Sequence, residues 1–222
     1  MNKILAGVAR FQGSIFPRYK DHFKKIADRQ EPRALFITCA DSRILPNLIT
    51  QTEPGDLFIC RDVGNIVPPH GAAYGGVSAT IEYSVSVLKV HHVIICGHSD
   101  CGAMRALLNP ETLEGLPGVL GWLQYAEAPH RTVTDDFAHL EPEEKLARLI
   151  EENVIAQIEH LRTHPAVING LAQGTLCIHG WVYDIESGGV RALDEATGTF
   201  NNVEAVADDA GEPAIGFELM AR

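Results

Sequence analysis

No apolar run in this 222-residue chain approaches the roughly 20 residues that span a bilayer, so no membrane helix is expected. Basic residues are scarce: 18 Lys and Arg stand against 29 Asp and Glu, a net charge of −11. That balance argues against nucleic acid, whose phosphates need clustered Lys and Arg, and against an anionic membrane surface. Internal repeats, low-complexity linkers and a nucleotide-binding glycine fingerprint are all missing. The short apolar stretch before Ala9 gives way at once to Arg10, Phe11 and Gln12, too early for the core of a signal peptide. The expected location is therefore cytoplasmic. There the five cysteines should be reduced, and burial or metal binding is a better expectation than disulfides.

Hydrophobic residues make up 45% of the chain, enough for a sizeable core in one domain spanning 1–222. Residues 1–30 read as a helical arm, with Ile4, Leu5, Val8 and Phe11 on one face and Phe23, Ile26 and Ala27 continuing the stripe after Pro17. Such an arm can pack on its own body or reach across to a second subunit. Ala34–Thr38, Asp56–Cys60, His92–Cys96 and Thr175–His179 are apolar runs of strand length. Between them, Gly75-Gly76 opens a helix to about Lys89, and Glu141-Pro142-Glu143-Glu144 opens one that Pro165 stops. Residues 181–194 read as a strand, a Ser187-Gly188-Gly189 turn and a return strand. The expected fold class is α/β: a mostly parallel central sheet with flanking helices, an N-terminal helical arm and a C-terminal hairpin strand. In such sheets chemistry collects beyond the carboxyl ends of the strands.

Two segments fall there. Cys39-Ala-Asp41-Ser-Arg43 follows the first expected strand, and His98-Ser-Asp-Cys101 follows the third, with Gly97 ending that strand and His98 in the turn. Either is weak alone. Together they supply two thiols and an imidazole, a set that fits zinc with one position left open for water. Cys101, near a helix N-terminus, is expected to have a lowered pKa. Two thiolates neutralise the ion and acidify its water less than three imidazoles would, so Asp41 is expected to accept a hydrogen bond from that water. Arg43 would pair with Asp41 and keep it off the metal. Cys60, Cys96 and Cys177 lie in apolar runs without ligand partners and read as buried core thiols. His70, His91, His92, His130, His160 and His164 read as surface or loop residues.

With these motifs in place the chain resembles the β-class carbonic anhydrases. The resemblance is carried by Cys39-Ala-Asp-Ser-Arg43, Pro54-Gly-Asp-Leu-Phe58, Arg61-Asp-Val-Gly-Asn65, Gly76-Val-Ser-Ala-Thr-Ile-Glu-Tyr83, Cys96-Gly-His-Ser-Asp-Cys-Gly102 and His179-Gly-Trp-Val-Tyr-Asp184. It implies reversible hydration of CO2 to bicarbonate, one Zn2+ on Cys39, His98 and Cys101, and Asp41 and Arg43 as the assisting pair. It implies a substrate pocket of Gln30, Phe58, Val63, Tyr83 and Gly102, with Tyr83 a candidate for the proton route. It also implies self-association as a dimer or dimer of dimers, with each active site near a subunit interface. Gln30 stands nine residues before Cys39, as in the plant-type branch. Phe36 stands where the bicarbonate-regulated branch has Trp, although Arg61 and Tyr183 match its other two positions. The chain is thus similar to the open branch, closest to bacterial members associated with cyanate metabolism. Two further readings fit the residues: hydrolysis of a CO2-like molecule such as carbonyl sulfide or carbon disulfide, and a non-catalytic zinc-stabilised scaffold.

Overall fold

In the computed structural model, which describes residues 1–72 and 74–203, the apolar runs become the strands of one sheet. The strands are Ala34–Cys39 (β1), Leu57–Asp62 (β2), His92–His98 (β3), Cys177–Tyr183 (β4), Val190–Asp194 (β5) and Thr199–Asn202 (β6), in spatial order β2-β1-β3-β4-β5-β6. The first four run parallel, and β5 and β6 add antiparallel at the β4 edge. The expected parallel sheet with a hairpin at its end is what forms, with β6 extending the hairpin by one strand. The one-domain expectation runs on through residues 204–222, which lie outside the described residues.

Two boundaries differ from the sequence reading. β3 continues through Gly97 to His98, which pairs with Tyr183, so His98 ends a strand rather than sitting in a turn. Pro165 stops one helix and starts another, because its fixed φ and missing N–H suit a first helical position. The helices of the body are Pro46–Thr50 (α3), Gly76–Glu82 (α4), Gly102–Leu108 (α5), Pro117–Leu123 (α6), Glu127–Asp136 (α7), Pro142–Leu161 (α8) and Pro165–Ala172 (α9).

α8 is the long helix behind the site. Its start is fixed by a capping box, the Glu141 N–H donating to Glu144 Oε2 at 3.1 Å. Leu146, Leu149, Ile150, Val154, Ile158 and Leu161 bury one face. That face rests directly on glycine backbone. A Cβ on Gly97 would come within 2.9 Å of Val154 Cγ2, and one on Gly180 within 2.9 Å of Val154 Cγ1 and 2.8 Å of Ile158 Cδ1. Only glycine lets helix and sheet approach this closely.

The arm consists of Asn2–Arg10 (α1), a π-helical turn, and Phe16–Ile26 (α2), and it buries no residue. Ile4, Leu5, Val8 and Phe11 are 67%, 59%, 49% and 44% exposed. It meets the body at its base, where His22 Nε2 donates to Pro54 O at 2.7 Å and Ile26 lies beside Gly55. Of the two readings of the arm, packing on its own body is the one the structure does not show.

Two other readings are corrected. Cys177 opens β4 and is exposed, while Cys60 and Cys96 are buried as expected. His164 is 3% exposed and His160 is half-buried on α8. Their ring nitrogens donate to backbone oxygens of Pro68 (3.0 Å) and Val67 (2.8 Å) respectively, and those bonds make burial tolerable.

Candidate active site

β1 and β3 are adjacent and parallel, so their carboxyl ends deliver Cys39 and His98 side by side. Cys101 comes three residues after the end of β3, at the N-cap position of α5. The chain doubles back between them because Asp100 takes a left-handed conformation, φ 54°, which Asp tolerates better than most residues. The turn is pinned to β4, the Ser99 N–H donating to Tyr183 O at 2.9 Å and the Ser99 hydroxyl accepting from Ile185 N–H at 2.9 Å. The three ligand atoms lie within 4.8 Å of one another, and all three residues are buried.

The imidazole is preset. His98 Nδ1–H donates to Ser99 O at 2.9 Å, which leaves the lone pair on Nε2. Nε2 is buried and has no hydrogen-bond partner. An imidazole oriented by a backbone carbonyl, with its other nitrogen turned toward two thiols, fits a zinc ligand.

The thiols compete for one negative charge. Cys39 is pulled down chiefly by the hydrogen bond from Cys101, with the Gly64 and Asp41 backbone acting in the same direction, against the opposing effect of burial. Cys101 is pushed up by its bond to Cys39, by burial and by the Cys39 charge, contrary to the lowering expected from its helix N-terminus. The N–H groups of Ala103 and Met104 do act in the expected direction. They are outweighed by the neighbouring thiolate, whose charge a divalent cation would neutralise.

Asp41 and Arg43 form a clamp. Arg43 Nε donates to Asp41 Oδ1 at 2.9 Å and Nη2 to Oδ2 at 2.7 Å, while the Arg43 N–H donates to Oδ1 at 2.9 Å. Those bonds hold the Asp41 carboxyl well below the usual carboxylate range. Arg43 is fixed in turn by Asp100, through Oδ2 at 3.3 Å and its backbone O at 3.2 Å. Asp41 Oδ2 lies 4.0 Å from His98 Nε2, beside the ligand set.

Several supporting residues were not read from the sequence. Gly64 N–H donates to Cys39 Sγ at 3.3 Å. Gly64 has φ 84°, and a Cβ there would meet Ala103 Cβ at 3.1 Å. Its carbonyl accepts from Asn153 Nδ2 at 3.0 Å, and Gln157 accepts from Val67 N–H at 2.9 Å while donating to Asn153 Oδ1 at 2.9 Å. The loop that bonds to the thiolate therefore hangs on two buried amides of α8. Their only trace in the sequence is a pair of polar residues on an apolar helical stripe. Arg61, read above as one of three regulatory positions, donates to Cys39 O at 3.1 Å and Asp41 O at 2.5 Å.

The expected pocket residues are not gathered around this group. Gly102 adjoins Cys101 at the start of α5, and Val63 precedes Gly64. Phe58, however, pairs with Leu35, four positions before Cys39, or about 13 Å away along the strand. Its ring lies 6.0 Å from that of Tyr83, which is 44% exposed. Gln30 is exposed in the coil between α2 and β1.

The carbonic anhydrase family model matches residues 34–190. A carbonic anhydrase of Pseudomonas aeruginosa is 51% identical over 90% of this chain and 90% of its own. Carbonic anhydrase 1 of Escherichia coli O157:H7 is 48% identical over 90% and 91%. This chain belongs to the β-class carbonic anhydrases. The solved structure of the β-carbonic anhydrase CcaA has the same fold, with a TM-score of 0.90 at 44% identity over 92% of both chains. A tetrameric β-carbonic anhydrase of Sordaria macrospora matches at a TM-score of 0.78 and 30% identity, covering 86% of this chain and 95% of its own. β-Class carbonic anhydrases use zinc, and Cys39, His98 and Cys101 are the group suited to one such ion. Among the described residues no helix is long and apolar enough to cross a membrane.

Proposed function

We propose that this chain hydrates CO2 reversibly to bicarbonate and a proton, with Cys39, His98 and Cys101 holding Zn2+ and Asp41 and Arg43 assisting. Zinc supplies a Lewis acid that lowers the pKa of water at its open position. The observation that carries the assignment is the clamp. Arg43 engages both Asp41 oxygens, so Asp41 is held beside the ligand set, where it would accept a hydrogen bond rather than serve as a fourth ligand. Its depressed pKa keeps it ionised throughout the working range, so it would accept a hydrogen bond from the attacking water without taking its proton. Arg61 keeps Cys39 and Asp41 in register by bonding to both carbonyls. With its guanidinium engaged there, and with Phe36 fully buried against Trp181 at 6.0 Å, the open-branch reading without a bicarbonate-inhibitory pocket is favoured.

Gln30, Phe58, Val63, Tyr83 and Gly102 are assigned to the substrate pocket, assembled across two subunits. The distance of Phe58 and Tyr83 from their own Cys39 supports giving them to a partner's site. The exposed apolar face of α1 and α2 supports a dimer in which that arm lies on the second copy, and such dimers can pair again. The acidic surface and the thiol ligands fit a cytoplasmic enzyme.

Stopped-flow CO2 hydration tests this reading. Zinc-loaded Asp41→Ala and Arg43→Ala should keep their metal and lose about 10²-fold or more in rate. Full activity in both would refute the clamp's role, and undiminished turnover after chelation would refute the zinc. Sulfide release from carbonyl sulfide with negligible CO2 hydration would move the substrate to a CO2 analogue. Inertness toward both would leave a scaffold.

A further inference from the structure

A second convergence of imidazoles lies at the opposite end of the sheet from the zinc group. His92 opens β3, and His179 is the third residue of β4. The register sets Cys177 across from His92 and His179 across from Ile94, so His92, Cys177 and His179 project from one face. α8 covers the other face, packing on Gly97 and Gly180. His92 Nδ1 and His179 Nε2 are 3.1 Å apart, the rings tilted by 43° with centroids 5.2 Å apart. His92 is exposed and His179 half-buried.

That spacing is close to what one ion requires. Two imidazole nitrogens about 2.0–2.1 Å from a tetrahedral ion stand about 3.3–3.4 Å from each other. In the N–H···N bond each ring aims along the line between the nitrogens. Aiming both at a shared ion needs a rotation of about 35° per ring, which the broad torsional well of histidine permits. Burial, and then the charge of His92, lower the pKa of His179, so its lone pair stays available at neutral pH. Glu195 acts on His179 in the sense that favours a nearby cation, although Arg162 engages its two oxygens at 2.9 and 2.8 Å. The chain's net charge of −11 adds a long-range attraction for cations.

We propose that His92 and His179 form a second metal site, for a divalent ion of borderline softness such as Zn2+, Ni2+ or Cu2+, with water completing its shell. It is separate from the catalytic group, since β3 carries His92 and His98 at opposite ends. The test is calorimetric titration of the zinc-loaded enzyme with Ni2+, with metal content and CO2 hydration measured on the same samples. The native enzyme should take up one further ion per subunit. His92→Ala and His179→Ala should each weaken that uptake by about tenfold or more, while catalytic zinc and turnover stay intact. Cys177→Ser should retain the second ion. No second uptake by the native enzyme overturns the proposal, as does retention in both histidine variants. Loss confined to Cys177→Ser also overturns it, by assigning the ion to the thiol.

Discussion

The contact of α8 with the sheet can be tested by a double-mutant cycle. Val154 is fully buried, and its two methyl groups are the near neighbours of Gly97 and Gly180. Val154→Ala removes both methyls, a transfer loss of about 1.6 kcal/mol that cavity formation should raise to about 2–3 kcal/mol. Gly180→Ala inserts a methyl within 2.8–2.9 Å of Ile158 and Val154 and 3.2 Å from Leu193 Cβ. The Ile158 tip can rotate away, but the β-branched Val154 cannot easily, so overpacking should cost about 1–3 kcal/mol. In the double variant the new methyl enters the space the old ones left. The combined loss should then fall short of the sum by about 1–2 kcal/mol. Gly97→Ala with Val154→Ala should behave alike, with one difference: Gly97 precedes His98, so the single variant should also bind zinc less tightly. Urea unfolding of the zinc-loaded protein at one fixed chain concentration measures all of these. Additivity within about 0.5 kcal/mol would show that helix and strands do not meet through Val154.

Removing residues 2–26 should dissociate the assembly, read by analytical ultracentrifugation, and CO2 hydration should fall with it; an arm-less chain of unchanged mass would refute the assigned role of the arm. Asn153→Ala leaves Gly64 O without its side-chain donor and removes one of the two acceptors of Gln157 Nε2, the other being Tyr125 O, and should lower stability by about 1–3 kcal/mol in urea and weaken zinc retention. Burial lowers the pKa values of His160 and His164. Their charged forms are disfavoured in the fold, so their contribution is complete above about pH 6.5 and is lost as pH falls through the lower folded values. The melting temperature should therefore drop below about pH 6.5, with a shallower drop in His160→Gln/His164→Gln; equal slopes would refute the assignment.

The sequence made the metal group legible because its residue types are rare together and because strand ends are readable from apolar runs. Cys39, Asp41, Arg43 and Cys101 stand beyond or at a strand's carboxyl end as that logic puts them, and His98 is shifted only in being the last residue of β3 rather than the first of the turn. Gly64 was not legible as a thiolate donor, since a backbone N–H carries no sequence signal and only its left-handed φ explains the glycine. Asn153 and Gln157 were not legible as polar tethers either, because periodicity reports which face of a helix is buried and not what it bonds to. β6 and α9 escaped through short length and a proline that starts a helix as readily as it ends one. Cys177 was misjudged because an apolar run does not say which sheet face is covered, and Cys177 opens β4 on the face away from α8.

The order β2-β1-β3 has a consequence for synthesis. β1 is buried on both faces along its whole length and apolar but for Thr38, and one of its edges is closed only by β3, which begins 53 residues after β1 ends (Cys39 to His92). While the chain is emerging, that edge is open to strands of other nascent chains. Crowded translation should therefore favour aggregation before the finished protein's stability matters. Slower expression, at lower temperature, should raise the soluble yield even though it leaves the native fold unchanged.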